Sequence, residues 1–347
     1  MASAGCGEDA AETSGAGGAG ASSSSSAGGG SSSDVTSGSG GATSSSGSGA
    51  AGGEPVGATA LGIDLDKFTL DGRPTFLLGV SYFDGKNWRV EDLDGLAARG
   101  FNLIRVWLDW GTAGFFDGAG NLAEAQRLLD LAEACRQRGI VLDATILDTD
   151  LVPEDRDLAV RSVVKALAGQ PNVLFDIANE HDHAGEPLSH EDVASLAASA
   201  RSEDADALLT VSSQGGHLVD DAGVAAENVQ AEIVTAGLNI VTPHLPRTPD
   251  FYDRTDERVT KLRDHLASIG VTVPVYLQEE ARRGHSGLDP TLEQFLQAAR
   301  EARDAGAAAW ILHTDAGFDL ATASFFDQLD DVEKATVDAL GAEIFGP

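Results

Sequence analysis

Two short stretches of the sequence concentrate groups able to move protons or attack an electrophile. "NVLFDIANEHDH", Asn172 to His183, begins apolar at Val173, Leu174, Phe175 and Ile177 and ends in Asn179-Glu180, followed by His181, Asp182 and His183. "PVYLQEE", Pro274 to Glu280, likewise runs from an apolar segment into Glu279-Glu280. A carboxylate at the end of a core strand has three readings. It is a solvated loop residue, a metal ligand, or half of a carboxylate pair in which one member attacks and the other gives and takes a proton. The elements around the two stretches have to decide.

Those elements repeat. A helical stretch ends at Gly and an apolar run follows at once, in "ARGFNLIRVWL", "QRGIVLDATIL", "SIGVTVPVYL" and "DAGAAAWIL". Gly100, Gly139, Gly270 and Gly306 suit the left-handed position that ends a helix. The short β-branched or aliphatic runs suit strands buried on both faces. Filling the gaps predicts strands near Phe76–Ser81, Leu103–Leu108, Ile140–Ile146, Val173–Ile177, Leu208–Ser212, Ile240–Thr242, Val273–Leu277 and Ala307–Leu312. Helices are predicted at Glu91–Arg99, Leu122–Arg138, Asp157–Ala168, Glu191–Ser202, Asp221–Thr235, Glu257–Ile269, Leu292–Ala305 and Asp330–Leu340. Eight strand–helix pairs over about 290 residues give an α/β protein with a closed (β/α)₈ barrel. An open doubly wound sheet would carry a Gly-rich phosphate loop after its first strand, where this chain reads "GVSYFDGKNW". Upstream, "FTLDGRPTFLLG" reads as a hairpin turning at Asp71-Gly72 that would cap the barrel's bottom.

Barrel sites form at the C-terminal strand ends. In strand order those ends carry Ser81, Tyr82, Asp84 and Trp88; Arg105, Trp107, Asp109 and Trp110; Asp148 and Asp150; Asn179, Glu180, His181 and His183; Ser213, Gln214 and His217; His244 and Arg247; Gln278, Glu279, Glu280, Arg282 and Arg283; Trp310, His313 and Asp315. Glu180 with Glu279 or Glu280 would supply the carboxylate pair of retaining glycoside hydrolysis, about 5–5.5 Å apart. Indoles beside them would stack on sugar faces, Trp310 foremost. Arg105 would keep the nucleophile ionised, because a nearby cation lowers a carboxylate's pKa.

With these pieces the chain resembles clan A of the glycoside hydrolases, which includes family 5. The matching segments are "DGRPTFLLGVSYF", "GFNLIRVWLDW", "ANE", "PVYLQEE" and "AAAWIL", spanning about residues 68 to 313. The resemblance implies that Glu180 is the acid/base, that Asn179 binds the sugar's 2-hydroxyl, and that the strand 7 Glu is the nucleophile. A spacing of Pro, four residues, then Glu selects Glu279, with Glu280 as runner-up. Tyr82, Trp107, Trp110, His217, His244 and His313 complete the candidate substrate contacts. Two features depart from the pattern: strand 3 ends "ATILDTD" without His, and Pro246 stands two residues after His244 where Tyr is usual. Tyr82 or Tyr252 would have to substitute for that Tyr.

Composition narrows the partners. A formal charge of −32 argues against nucleic acid and anionic lipid headgroups. Residues 1–58 are almost all Ser, Gly and Ala and read as a disordered tether; residues 59–347 carry the basic and aromatic side chains and form one domain. The start "MASAGCGEDAAE" resembles the cleavage region of a bacterial lipoprotein, with Ser3 where a Leu is usual. That implies a secreted or surface protein with a lipid anchor on Cys6. Cys135 sits in an apolar helix pattern and is expected buried and unpaired with Cys6. His181 and His183, with His217, His244 and His313, could ligate zinc, and a metal-dependent barrel hydrolase is the less favoured alternative; such hydrolases usually carry His-x-His on strand 1, which this chain lacks, so no metal or cofactor is expected. The rival to catalysis is a carbohydrate-binding barrel that has lost turnover.

Overall fold

The computed structural model describes residues 59–110, 114–117, 119–148, 153–183 and 187–346. The tail with Cys6, and Asp150, lie outside these residues. The chain enters through an antiparallel sheet of β1 (Leu61–Asp64), β2 (Lys67–Leu70) and β3 (Arg73–Pro74). Asp71 and Gly72 link β2 to β3 with φ of 52° and 74°. A two-residue hairpin requires this pair of left-handed residues, which Asp-Gly adopts readily.

Eight parallel staves follow. They are β4 (Leu77–Ser81), β5 (Leu103–Trp107), β6 (Val141–Leu147), β7 (Val173–Ala178), the pair β8 (Leu209–Thr210) and β9 (Ser212–Ser213), β10 (Thr242–Pro243), β11 (Tyr276–Leu277) and β12 (Ala309–Leu312). The order β11-β12-β4-β5-β6-β7-β8 is hydrogen-bonded throughout, and β9 pairs with β10. A bridge between Val241 and Val275 joins β10 to β11, with the Tyr276 amide donating to the Val241 carbonyl at 2.9 Å. That contact closes the ring. β11 begins later than the apolar run predicts because Pro274 has no amide hydrogen for the ladder.

The helices outside the ring are α1 (Val90–Ala98), α2 (Ala125–Arg136), α3 (Pro153–Leu167), α4 (His190–Glu203), α5 (Ala226–Val229), α6 (Thr255–Ser268), α7 (Leu292–Asp304), α8 (Phe325–Gln328) and α9 (Asp331–Phe345). Reciprocal Ser189–Asp192, Thr291–Gln294 and Asp330–Glu333 caps start α4, α7 and α9. The fifth helix differs from expectation. Asp220 accepts from the Ala222 and Gly223 amides, which folds that segment into a turn. Only α5 is α-helical there, and a π-helical turn at Gln230–Thr235 continues it.

Strand alternation sorts the side chains. Leu78, Val80, Ile104, Val106, Leu142, Ile146, Phe175, Ile177 and Val241 pack in the core cluster that includes the helices. Leu77, Leu103, Val141, Leu174, Ile240, Tyr276, Ala309 and Ile311 pack with Phe68 of the hairpin in a second cluster, which fills the barrel floor. The hairpin is thus part of the barrel's interior. Among the described residues, no helix is long and apolar enough to cross a membrane. Cys135 is buried and free, and burial pushes its thiol pKa up.

Because Phe68 plugs the floor, Phe68→Ala should destabilise the domain by about 3–5 kcal/mol in urea unfolding. A loss below about 1 kcal/mol would show that the hairpin is dispensable to the core.

Candidate active site

Above the apolar floor the inward positions turn polar. Arg105 on β5, Asp143 on β6 and Asp176 on β7 lie side by side and are fully buried. Arg105 reaches across the axis with every arm engaged. Its Nε donates to Thr145 Oγ1 at 2.9 Å, its Nη1 to Glu279 Oε1 at 2.7 Å, and its Nη2 to Asp176 Oδ2 at 2.9 Å and Asn179 Oδ1 at 2.8 Å. The guanidinium also lies 4.1 Å from the centre of the Trp107 ring. Asp143 accepts from Tyr276 Oη at 2.6 Å and Gln278 Nε2 at 2.9 Å. Burial first, then repulsion from Asp176, raises Asp143 to a pKa of about 7 against the pull of Arg105.

Glu279 leaves β11 pointing into this axis. Its Oε1 accepts from Arg105, and its Oε2 accepts from Arg247 Nη2 at 2.6 Å and lies 3.2 Å from His313 Nε2. Burial alone would raise its pKa. Of the groups set against burial, the His313 and His244 imidazoles and the Arg105 and Arg247 guanidiniums, it is the permanently charged guanidiniums that hold it well below the usual range. The guanidiniums carry most of this effect, because they are permanent charges in direct contact. His313 itself is neutral: burial, then Arg282 and Arg247, outweigh Glu279 and keep its pKa well below that of a free imidazole.

Glu180 follows Asn179 at the end of β7 with φ of 44°, an uncommon left-handed setting for a non-glycine. Its side chain is 20% exposed, against 7% for Glu279. His244 Nδ1 lies 3.0 Å from Glu180 Oε1 and 3.9 Å from Glu279 Oε2. One oxygen of Glu180, one of Glu279 and a His244 nitrogen all lie within 4.8 Å of one another. The two carboxylates therefore face each other. Burial works to raise the Glu180 pKa, and the hydrogen bond and charge of His244 more than reverse it.

The His244 tautomer follows from its neighbours. Gln278 Nε2 donates to Asp143 and Asp176, so Gln278 Oε1 is the acceptor 3.2 Å from His244 Nε2. His244 therefore carries hydrogen on Nε2 and turns its Nδ1 toward Glu180 Oε1. A cavity of about 290 Å³ opens beside this pair, lined by Glu180, His183, Gln214, His244, Leu245 and Arg247.

No family model matches the sequence, and no curated protein aligns with it. Solved structures do match. A β-mannanase from the blue mussel Mytilus edulis superposes with a TM-score of 0.56 at 15% identity, over 82% of this chain and 97% of that one. An endo-1,4-β-mannanase from Rhizomucor miehei gives 0.54 at 15%, over 81% and 99%. A glycoside hydrolase family 5 enzyme from Prevotella bryantii B14 gives 0.54 at 16%, over 78% and 96%. The fold is that of the family 5 glycoside hydrolases.

Several sequence expectations need correction. Trp310 is no sugar platform. It lies between the inward Ala309 and Ile311, packs under the helices at 1% exposure, and donates Nε1 to Glu280 Oε2 at 2.5 Å. The inward residue at that strand end is His313, whose Nδ1 meets Ser81 Oγ at 2.8 Å. Tyr82 also faces the helices, donating to Asp92 Oδ2 at 2.9 Å, and Tyr252 packs on Phe251. Arg247 contacts Glu279 in the position where a tyrosine is expected. Trp107 is inward but its faces are taken by Phe83, stacked at 4.0 Å, and by Arg105, so it supports the site from beneath. Trp110 remains at the rim, its Nε1 donating to the Phe318 carbonyl at 3.0 Å. His217 lies apart with Asp182 and Glu232. Glu280 turns outward and accepts from Thr255 Oγ1 at 2.6 Å. His285, between Arg247 and Arg282, escaped the sequence reading because it lies beyond the strand end.

Burial raises the Glu280 pKa from 4.5 to about 7. A carboxyl with a raised folded pKa stabilises most below its unfolded value, and that contribution is lost as pH rises from 4.5 through 7. Wild type should therefore lose about 3 kcal/mol more stability between pH 4.5 and pH 8 than Glu280→Gln, in paired denaturation curves. Parallel curves would show that Glu280 does not titrate in this window.

Proposed function

We propose that the protein is a retaining glycoside hydrolase that cleaves β-linked glycosides or polysaccharides. The observation that carries this reading is the facing pair: carboxylate oxygens of Glu180 and Glu279 within 4.8 Å, with Glu279 fixed by Arg105. Inverting enzymes separate the pair by about 6.5–9.5 Å to admit a water, whereas retaining enzymes bring it to about 5–5.5 Å. Glu279, ionised and buried, attacks the anomeric carbon, forming an ester bond as the glycosidic C–O bond breaks. Glu180 delivers a proton to the departing oxygen. It then takes a proton from water, whose hydroxyl cleaves the ester and releases the sugar. Asn179, its Oδ1 held by Arg105, exchanges its weak 3.4 Å hydrogen bond to Asp148 for one from its amide to the sugar's 2-hydroxyl. The mannanases among the matched structures make β-mannans the first substrates to test. Outside the cell or at its surface, on the Ser/Gly tether, such an enzyme would meet polymeric glycans.

One observation favours a second reading, a carbohydrate-binding barrel without turnover. Both oxygens of Glu279 accept from guanidiniums, and charge-assisted bonds of this kind reduce a carboxylate's nucleophilicity.

Kinetics on β-mannans, β-glucans and aryl β-glycosides separate the two. Glu180→Gln should lower kcat on polymers by about 10²–10⁴-fold, with a smaller loss on aryl glycosides whose leaving group needs little protonation. Glu279→Gln should abolish turnover on all of them. Equal rates in the three proteins would refute the assignment. Tight glycan binding with no turnover by wild type would establish the second reading.

A further inference from the structure

Behind Glu180 lies a second cluster that glycoside chemistry does not use. His181 follows Glu180 out of β7, His217 follows β9, His190 opens α4, and Glu232 sits in the π-helical turn after α5. One ligating atom of each lies within 4.8 Å of the others. The three imidazole rings stand 5.2, 5.6 and 6.0 Å apart, centre to centre.

The rings are oriented from outside the cluster. His181 Nδ1 lies 3.1 Å from the Leu188 carbonyl oxygen, which only accepts, so that nitrogen carries hydrogen. His217 Nδ1 lies 2.8 Å from Asp182 Oδ2, and the Gln214 amide fixes Asp182 through its other oxygen at 2.7 Å. Both rings therefore present Nε2 to the centre. Carbonyl–histidine and carboxylate–histidine pairs of this kind set the tautomer of metal-bound imidazoles.

At the centre, His190 Nε2, His217 Nε2 and Glu232 Oε2 are buried with no hydrogen-bond partner among the described residues. Glu232 is 1% exposed. Buried lone pairs converging beside a buried carboxylate are costly unless a cation joins them. Glu232 Oε1 is hydrogen-bonded to His181 Nε2 at 2.9 Å, a bond that a shared metal ion would replace, and lies 3.5 Å from His217 Nε2. Ligands on a tetrahedral zinc are about 3.4 Å apart, given bonds near 2.1 Å.

We propose that His181, His190, His217 and Glu232 bind one zinc ion in a closed, four-coordinate structural site. Three imidazoles and one carboxylate suit zinc, and four protein ligands leave no position open for a reacting water. The ion ties the ends of β7 and β9 to α4 and the π-helical turn. It thereby braces the backbone at Glu180, one residue from a ligand. The site stands whether or not the protein is a glycosidase.

The test is a zinc titration of the full chain after chelator stripping, with metal content by mass spectrometry and melting curves with and without zinc. One equivalent that survives dialysis is expected, with a melting temperature that rises on zinc addition. His190→Ala and His217→Ala should each lose that equivalent, and His183→Ala should keep it. Cobalt(II) in folded wild type should give the intense visible bands of tetrahedral coordination. No retained zinc in wild type overturns the proposal, as does zinc retained by a His190→Ala/His217→Ala double variant. So do the faint bands of six-coordinate cobalt, and so does zinc lost with His244→Ala, which would place the ion between Glu180 and Glu279.

Discussion

The buried guanidinium of Arg105 is the constraint around which the upper barrel is arranged. It is fully buried and held by Thr145 of β6, Asp176 and Asn179 of β7 and its end, and Glu279 beyond β11. A buried charge is tolerated only when paired and fully hydrogen-bonded. Satisfying Arg105 therefore fixes the relative positions of the strands that carry Glu279 and Asn179. The same cation that the interior must neutralise helps keep Glu279 ionised. Structure and chemistry share one interaction, so removing either partner would leave an uncompensated buried charge.

The two carboxylates gain different characters from the same surroundings. Glu279 is nearly sealed and flanked by two guanidiniums and a neutral His313. Glu180 is partly open to the cavity and lies 3.0 Å from a single imidazole, that of His244. Both carboxyl pKa values are lowered, that of Glu279 the more strongly. Arg247 shows how a loop change is absorbed. With Pro246 two positions after His244, the next side chain reaches Glu279 and brings a charge where a hydroxyl is expected.

The repeating Gly-terminated helices made the barrel legible, because helix ends and buried strands leave strong local marks. Arg105, Asn179, Glu180 and Glu279 were legible because a polar residue inside an apolar run has few reasons to exist. Facing was harder to read. Strands buried on both sides are apolar at every position, so "AAAWILH" does not say whether Trp310 or Ile311 looks inward until His313 appears at its end. Tyr82 was misread for the same reason. The Glu279/Glu280 choice depends on the bend after Leu277, where the chain leaves the ladder, which strand alternation cannot give. His190 and Glu232 were invisible because they lie on helical segments that only the folded chain brings beside His181 and His217.

The most direct measurement is to incubate the protein with a 2-deoxy-2-fluoro β-glycoside bearing a good leaving group, then map the labelled peptide by mass spectrometry. Electron withdrawal at the 2-position slows hydrolysis of the covalent intermediate enough to trap it. A single sugar esterified to Glu279 is the predicted result. A sugar on Glu280, or turnover of glycans with inversion of the anomeric centre and no adduct, would contradict the account.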